Sequence, residues 1–362
     1  MSANIKSIII ATGSYIPDNI ISNEEFLHHQ FYERDGKLIT RENAEIISKF
    51  KDITEIEERR YADDEHKASD LGFFAARNAI ESSGIDPETL DYIIVAQNFG
   101  DVNQGTTRPD VLPTLASRIK HKLGIINPDC IAYDLPFGCP GWLQGMIQAD
   151  YFIRSGDAKR ILVIGTETLS RVTDPHDRDS MIFSDGAGAT ILEGQGNSEY
   201  GILAHKTQTH TSVEAYYLFS GKSSNPELIN DEAYIKMDGR KIYEYALKNV
   251  PLVIKLALEK SGTELKDVKK VLVHQANGKM DEAILKRLFK LYNMTDIPEN
   301  VMPMTIAQYG NSSVATIPTL LDLVLKDKMD NQEINSGDII VFASVGAGMN
   351  INAMVYKFPA TL

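Results

Sequence analysis

Short apolar runs alternate along the chain with longer stretches in which apolar residues recur at helical spacing. The runs are almost continuously apolar, as in strands buried on both faces of a sheet; they occupy residues 7–11, 91–97, 130–133, 160–165, 185–192, 270–275 and 339–344. The amphipathic stretches predict helices over 69–83, 112–124 and 143–154. This alternation predicts an α/β protein with mostly parallel sheets and helices packed against them.

Two regions depart from this pattern. Residues 23–58 are polar, charged and locally helical, with a break at Gly36, and we expect a surface insertion or cap. The adjacent His28 and His29 would face different directions on a helix, so we expect no metal site there. Residues 193–232 are rich in Gly, Ser and Asn, and they predict turns without a defined element.

The second half of the chain repeats the first. Four segments have counterparts in the same order, each with the same helix, strand or turn character: 79–84 with 257–262, 92–97 with 270–275, 139–150 with 311–322, and 155–157 with 336–338. Ordered matches of this kind indicate two copies of one α/β unit. We therefore expect an N-terminal half over 1–195 and a C-terminal half over 196–362.

Cys139 lies in a predicted turn between a buried strand and a helix. Backbone N–H groups and the positive end of the helix dipole favour a thiolate there, although an isolated cysteine is more often a small buried hydrophobe. The repeat adds His274 at the end of a strand and Asn311 in the turn that mirrors Cys139. Because sites in open α/β folds gather at the carboxyl ends of strands, we expect these three side chains to meet between the halves.

Composition and charge exclude several classes of function. A chain of 362 residues is expected to form two domains or a duplicated one. The net charge of −13 argues against nucleic acid as a general partner. Two cysteines make neither a disulfide framework nor a zinc site, and we expect no metal. Without a signal peptide or a long apolar segment, the sequence predicts a cytoplasmic protein with no membrane span.

The three candidate residues suit acyl chemistry. A thiolate can take an acyl group from a thioester if main-chain N–H groups stabilise the oxyanion, and Gly346-Ala-Gly348 offers a flexible main chain that can approach closely or form a plain turn. A neutral His274 and the Asn311 amide can both donate to a thioester enolate, formed when a malonyl-type acceptor loses CO₂. A cysteine hydrolase would instead use His274 as a general base, and the residues alone leave both chemistries open.

Several motifs resemble those of the β-ketoacyl-acyl-carrier-protein synthase III family of the thiolase superfamily. They are Cys139, Val273-His-Gln-Ala-Asn277, Tyr309-Gly-Asn-Ser-Ser313, Asp174-Pro-His-Asp-Arg178, Phe183-Ser-Asp-Gly-Ala-Gly188 and Gly346-Ala-Gly348, within a similarity from about Ile53 to Phe358. The resemblance implies a thiolase-like five-layered α-β-α-β-α fold from two duplicated halves, usually dimeric. It implies no cofactor, since the substrates are thioesters of CoA or of the phosphopantetheine of acyl carrier protein.

The resemblance also implies a role for individual residues. Cys139 would be the acylated nucleophile, His274 and Asn311 the oxyanion hole for decarboxylation, and the main-chain N–H groups of Cys139 and Ala347 a second oxyanion hole. Further contacts are implied with CoA or phosphopantetheine for Arg178, Arg240 and Asn277, and with the acidic carrier protein for Lys279, Lys286 and Arg287. Leu112, Gly346 and Gly348 are expected at the acyl pocket, and Trp142 is expected either to shape that pocket or to pack its helix.

Departures from the family pattern point to a specialised member. Lys49 and Ile53 stand where enzymes primed by acetyl-CoA carry an aromatic residue and an arginine, and Arg240 stands where those enzymes often have Asn. We expect longer acyl or β-ketoacyl thioesters, in fatty acid, specialised lipid or polyketide biosynthesis such as that of dialkylresorcinols. The alternatives are a plain acyltransferase, a 3-hydroxy-3-methylglutaryl synthase-like enzyme, for which no glutamate base is assignable, and a silent partner subunit, which the presence of all three candidate residues disfavours.

Overall fold

A computed structural model describes residues 5–359. The strands are β1 (Ile5–Tyr15), β2 (Asn19–Ser22), β3 (Glu58–Tyr61), β4 (Tyr92–Ala96), β5 (Asp101–Val102), β6 (Pro109–Asp110), β7 (Ile131–Leu135), β8 (Arg160–Thr168), β9 (Asp185–Gly196), β10 (Gly201–Thr209), β11 (Leu218–Gly221), β12 (Tyr234–Met237), β13 (Val268–Val273), β14 (Ile339–Gly346) and β15 (Asn350–Lys357). The helices are α1 (Asn43–Thr54), α2 (Ala68–Ser83), α3 (Leu115–Lys122), α4 (Gly141–Ser155), α5 (Gly239–Ser261), α6 (Gly278–Leu291), α7 (Ile306–Tyr309) and α8 (Thr316–Leu325).

Two main sheets share one strand order. The first sheet runs β1-β9-β8-β4-β7, and the second runs β10-β15-β14-β13. Each sheet has one parallel pair (β8 with β4, β14 with β13) followed towards β1 or β10 by two antiparallel pairs, and the first sheet adds a second parallel pair, β4 with β7. The expectation of mostly parallel sheets is therefore wrong, because an apolar run shows that a strand is buried but not in which direction it runs.

Helices enclose and separate the two sheets. The outer face of the first sheet is covered by α2 and α3, and that of the second by α5, on which α6 packs. Between the sheets lie α4 and α8, whose side chains share one apolar cluster with residues from both sheets. These layers form the five-layered α-β-α-β-α arrangement, so the predicted fold class is confirmed.

The duplication extends to single residues. α2 and α5 end at Gly84 and Gly262, which adopt left-handed φ angles of 64° and 71°. The buried Asp150 of α4 accepts a hydrogen bond from the β1 residue Ser7, and its counterpart Asp322 of α8 accepts one from Thr12, also on β1. Both central helices are thus fixed to the same strand by an aspartate at the same position of the repeat.

The segment 23–58 is more than a surface cap. Phe26, Phe31 and Ile46 form a small core with Met181 of the main body. At its end, the fully buried guanidinium of Arg59 donates to the Asn23 side chain and to the carbonyls of Ile21 and Met181 at 2.6–3.1 Å. The segment is therefore anchored from inside, which its polar composition does not indicate.

The interval 193–232 contains regular structure that its composition hides. β10 is the edge strand of the second sheet and pairs only with β15, so it tolerates a polar sequence after its first residues. Along the chain, the last strand of the first sheet is β9, which ends at Gly196, and the first strand of the second sheet is β10, which begins at Gly201. This change of sheet supports our proposed division into 1–195 and 196–362. Within residues 5–359, no helix combines the length and apolar character needed to cross a bilayer.

Candidate active site

The turn that carries Cys139 lies between β7 and α4, against the loop that follows β14. Gly138 adopts a left-handed φ of 70°, and a Cβ added there would lie 2.8 Å from the backbone N of Ala347. A Cβ at Gly346 would lie 2.5 Å from the backbone N of Cys139. Only glycine permits two main chains to approach this closely. The segments that carry the N–H groups of Cys139 and Ala347 are therefore in direct contact.

The structure brings the three predicted residues together. Cys139, His274 and Asn311 line one cavity of about 1270 Å³, and Gly346 and Ala347 line it too. His274 follows the last residue of β13, and Asn311 lies in the turn before α8. The convergence of these side chains follows from the repeat, because equivalent turns of the two halves face the same cavity.

His274 is buried and neutral. Removal from water lowers the pKa of its imidazole to about 3. Its Nδ1 lies 2.7 Å from the Thr316 hydroxyl, which is also 3.1 Å from the carbonyl of Ser313. The single hydroxyl hydrogen can serve only one of them. If it goes to Nδ1, the remaining ring nitrogen, Nε2, carries a hydrogen and is a donor; if it goes to Ser313, Nε2 is an acceptor.

The side chain of Asn311 is oriented by its own loop. Its Oδ1 accepts the backbone N–H of Ser313 at 2.8 Å. Its backbone N–H donates to Ile182, and its carbonyl accepts from Ser184, so the residue is fixed at both ends. Since the oxygen is engaged within the loop, the NH₂ group is left for the cavity that Asn311 lines. Asn311 can thus donate a hydrogen bond to a bound anion.

The side chain of Cys139 is a thiol at neutral pH, contrary to the prediction. Burial raises the pKa of Cys139 to about 11, and the nearby Glu167 acts in the same direction. The Ser313 hydroxyl, 3.3 Å from Sγ, lowers the pKa of Cys139, but by less than burial raises it. The helix N-terminus was expected to favour the thiolate, but the sequence does not show how deeply a turn lies in the protein.

Three polar residues around the sulfur were not predicted from the sequence. Asn98 and Ser313 line the cavity, and Glu167 is buried behind them. The Asn98 amide donates to Glu167 at 2.5 Å and to Ser313 at 3.2 Å, and its Oδ1 accepts the N–H of Gly138 at 3.0 Å. Asn98 lies just beyond β4 and Glu167 near the end of β8. A systematic search at the carboxyl ends of the apolar runs would have included both.

The residues predicted to hold CoA or phosphopantetheine also line the cavity. Arg178 pairs with Glu33 at 3.4 Å, and Arg240 pairs with Glu244 at 2.9 Å. The side chain of Asn277 accepts from the N–H of Met280, which caps α6. The inserted segment contributes further cations to the same wall, namely Arg34, Arg41 and Lys49.

Three predicted acyl-pocket residues lie elsewhere. Trp142 is buried among the central helices against Phe342, with ring centroids 6.0 Å apart, and does not line the cavity. Trp142 lies in the first turn of α4, and its side chain packs in the space between the sheets. Gly348 does not line the cavity either; its φ of 72° shapes the loop. Leu112 is 81% exposed and does not line the cavity.

The three basic residues predicted to meet a carrier protein are exposed on α6. Lys279 lies in its first turn, and Lys286 and Arg287 lie two turns further on. Lys286 forms an ion pair with Glu282 at 2.5 Å. Since α6 begins directly after Asn277, this basic face starts beside the cavity.

Comparisons with known proteins agree with this geometry. Residues 133–211 match the family model of 3-oxoacyl-[acyl-carrier-protein (ACP)] synthase III, and residues 258–358 match that of its C-terminal part. A β-ketoacyl-[acyl-carrier-protein] synthase III of Xanthomonas oryzae pv. oryzae is 32% identical over 362 residues, which cover 99% of this chain and 100% of the relative. The chain belongs to the 3-oxoacyl-[acyl-carrier-protein] synthase III family.

Solved structures of synthase III enzymes share the fold. The enzyme of Aquifex aeolicus is 28% identical with a TM-score of 0.78, and covers 97% of this chain and 100% of its own. That of Thermus thermophilus is 27% identical with a TM-score of 0.79, covering 98% and 100%. The resemblance inferred from the motifs is thus confirmed. The protein is an acyltransferase-type condensing enzyme of the thiolase superfamily.

Proposed function

We propose that this synthase III moves an acyl group from a thioester to Cys139 and condenses it with a malonyl- or β-ketoacyl-type thioester. The observation that carries the proposal is the shared cavity, which Cys139, His274, Asn311 and the Gly346-Ala347 main chain all line. Each step of a decarboxylative condensation finds a suitable group among them.

Acylation comes first. The sulfur of Cys139 attacks the thioester carbonyl, a new C–S bond forms, and the bond to the carrier's sulfur breaks. The thiol proton of Cys139 leaves with the departing carrier thiolate, so the exchange is balanced. The negative oxygen of the tetrahedral intermediate is stabilised by the main-chain N–H groups of Cys139 and Ala347, whose segments are in contact.

A malonyl-type acceptor is then activated by loss of CO₂ from its free carboxylate. Cleavage of its C–C bond leaves an enolate, whose oxygen accepts from the Asn311 amide and from His274 Nε2. This requires the tautomer in which Thr316 donates to Nδ1 at 2.7 Å. The enolate carbon attacks the acyl group on Cys139, the C–S bond breaks with its electron pair on the sulfur, and the β-ketoacyl thioester is released. The Cys139 thiolate then takes a proton from solvent, which restores the thiol.

The cavity favours a long acyl donor. Its volume of about 1270 Å³ exceeds the roughly 300–1,000 Å³ of ordinary ligand pockets. Its walls are largely apolar, with Ile46, Phe50, Phe99, Leu169, Met181, Phe183, Ile235 and Met237 among them. Arg178, Arg240 and Asn277 line the same cavity, so part of this volume would hold the phosphopantetheine arm and the remaining apolar space is open to an acyl chain. The volume and the altered residues Lys49 and Ile53 together support a specialised lipid or polyketide substrate.

Two kinds of partner follow from the surface. The basic face of α6 suits an acidic acyl carrier protein. A second copy of the chain suits the open edge of the first sheet, where β7 has a neighbour on one side only. Exposed apolar side chains lie close to this edge: Ile131 at 47%, Ile126 at 87% and Leu112 at 81%. We therefore propose a homodimer in which Leu112 can reach the partner's acyl pocket.

The 3-hydroxy-3-methylglutaryl synthase-like alternative requires a glutamate base that reaches the substrate. Glu167 is the carboxyl group near Cys139, but Asn98 and Ser313 lie between it and the cavity, which Glu167 does not line. The geometry therefore favours decarboxylation over that chemistry.

The acceptor step can be tested separately from acylation. We expect Asn311→Asp to acquire acyl groups within threefold of wild type, because Oδ1 still accepts from Ser313. Its release of CO₂ from a malonyl thioester should fall at least a hundredfold, because the donor to the enolate is lost. Acylation is read by intact mass and decarboxylation by ¹⁴CO₂ release, with His274→Ala in parallel. Unchanged CO₂ release in both variants would contradict the proposed roles.

A further inference from the structure

A fully buried carboxyl group lies behind the nucleophile. Glu167 is 1% exposed, near the end of β8, and its Oε1 accepts from the Asn98 amide at 2.5 Å. The proposed reaction does not use it, and its side chain does not line the cavity. Burying a carboxyl group is unfavourable unless it is hydrogen-bonded or uncharged, and groups of this kind cluster at functional sites.

The donors and acceptors between Glu167 and the sulfur of Cys139 can be arranged in only one way. Asn98 Oδ1 is occupied by the N–H of Gly138, so its NH₂ group must face Glu167 and Ser313. One N–H goes to Glu167 and the other to the Ser313 hydroxyl at 3.2 Å. Since Ser313 Oγ already accepts from Asn98, its own hydrogen is free to point at Cys139 Sγ, 3.3 Å away.

We propose that Glu167 is a positioning residue that fixes the orientation of Asn98, and thereby directs the Ser313 hydroxyl hydrogen at the sulfur of Cys139. The chain Glu167–Asn98–Ser313–Cys139 ends on a donor that stabilises the developing thiolate, which burial otherwise opposes. The inference rests on the proposed function for the identity of the nucleophile, but its test needs no acyl substrate.

The charge of Glu167 would act against this arrangement. Burial raises the pKa of Glu167 to about 8, with Asp185 on β9 acting in the same direction, and the protonated carboxyl can still accept from Asn98. Above about pH 8, Glu167 is negatively charged and disfavours the thiolate of the nearby Cys139. The carboxyl group is therefore useful as an uncharged acceptor.

The rate of Cys139 alkylation by iodoacetamide, measured from pH 6 to 10 by intact mass, tests this proposal. Asn98→Asp keeps the shape of the side chain but removes the donor to Ser313. Glu167→Leu removes the acceptor, and Glu167→Gln keeps an uncharged one. Ser313→Ala removes the last donor, and Cys139→Ala corrects for reaction at Cys130. Circular dichroism shows which variants are folded.

We expect Asn98→Asp, Ser313→Ala and Glu167→Leu to react at least tenfold more slowly at pH 7, with profiles displaced to higher pH. Glu167→Gln should react as fast as wild type or faster, because it keeps an acceptor for Asn98. Its pH–rate profile should lie at lower pH than that of wild type, because glutamine cannot become negatively charged near Cys139. A purely structural role would not displace the Gln and Leu profiles in opposite directions. Profiles of Asn98→Asp and Glu167→Gln that both coincide with wild type would overturn the proposal, even if Glu167→Leu failed to fold.

Discussion

At the scale of single residues, the candidate site depends on burial as much as on residue type. Cys139, His274 and Asn311 were predictable because the repeat puts each at an equivalent strand end or turn. The pKa of Cys139 was predicted in the wrong direction, because depth in the protein is not visible in a local motif. Asn98 and Glu167 each follow an apolar run, but a single polar residue there has many uses in proteins.

Glu167 gives a pH dependence of stability with a defined sign. Its pKa is about 8 in the folded chain against an ordinary 4.5, so the folded state holds its proton more tightly. The free energy of unfolding is then unaffected by this group below about pH 4.5, and falls as the pH rises towards 8. Glu167→Gln removes this loss.

We therefore expect urea denaturation to show the stability of Glu167→Gln rising relative to wild type between pH 5 and pH 9, by a few kcal/mol at most. Glu81→Gln, which changes an exposed carboxylate on α2, is the matched control and should keep a constant difference. A constant difference for Glu167→Gln as well would contradict the folded-state pKa.

At the scale of helices and strands, apolar periodicity identified most of the main elements. It missed β10, because an edge strand tolerates polar residues, and it could not give strand direction. The family resemblance, not the periodicity, suggested Trp142 for the acyl pocket. In the first turn of α4, a side chain can face either the cavity or the space between the sheets, and the sequence shows only that this helix is mostly apolar. The internal anchor of the inserted segment, Arg59, was likewise hidden among charged neighbours.

The helix α6 carries the proposed contact with acyl carrier protein. We expect Lys279→Glu, Lys286→Glu and Arg287→Glu each to raise the KM for acyl-carrier-protein thioesters about three- to tenfold, because each reverses one exposed charge opposite an acidic partner. The kcat with CoA thioesters should stay within twofold. Lys266→Glu, which changes an exposed lysine at the other end of β13, is the control.

The carrier-protein KM, measured with and without added salt, checks this prediction. The increase should shrink at high ionic strength, because exposed charges are screened. Equal KM values for the α6 variants and Lys266→Glu would exclude α6 as the docking face.

At the scale of the whole molecule, the duplication explains why one site lies between two similar halves. The first half contributes Cys139, the proposed nucleophile, from the turn before α4, and the second contributes His274 and Asn311 from the equivalent level of its own sheet. The sequence predicted that both halves contribute to one site, since the repeat relates the turn that carries Cys139 to the turn that carries Asn311. The size of the cavity was not, because the inserted segment forms part of its wall.

The proposed transfer of an acyl group from a thioester to Cys139 is measured most directly by the intact mass of the protein. Incubation with acyl-CoA and acyl-carrier-protein thioesters of increasing chain length should add the mass of one acyl group to the wild type, fastest with long chains. Cys130→Ala should behave like the wild type, and Cys139→Ala should gain no mass. A wild type that stays unmodified by every thioester, or an adduct that persists in Cys139→Ala, would contradict the account.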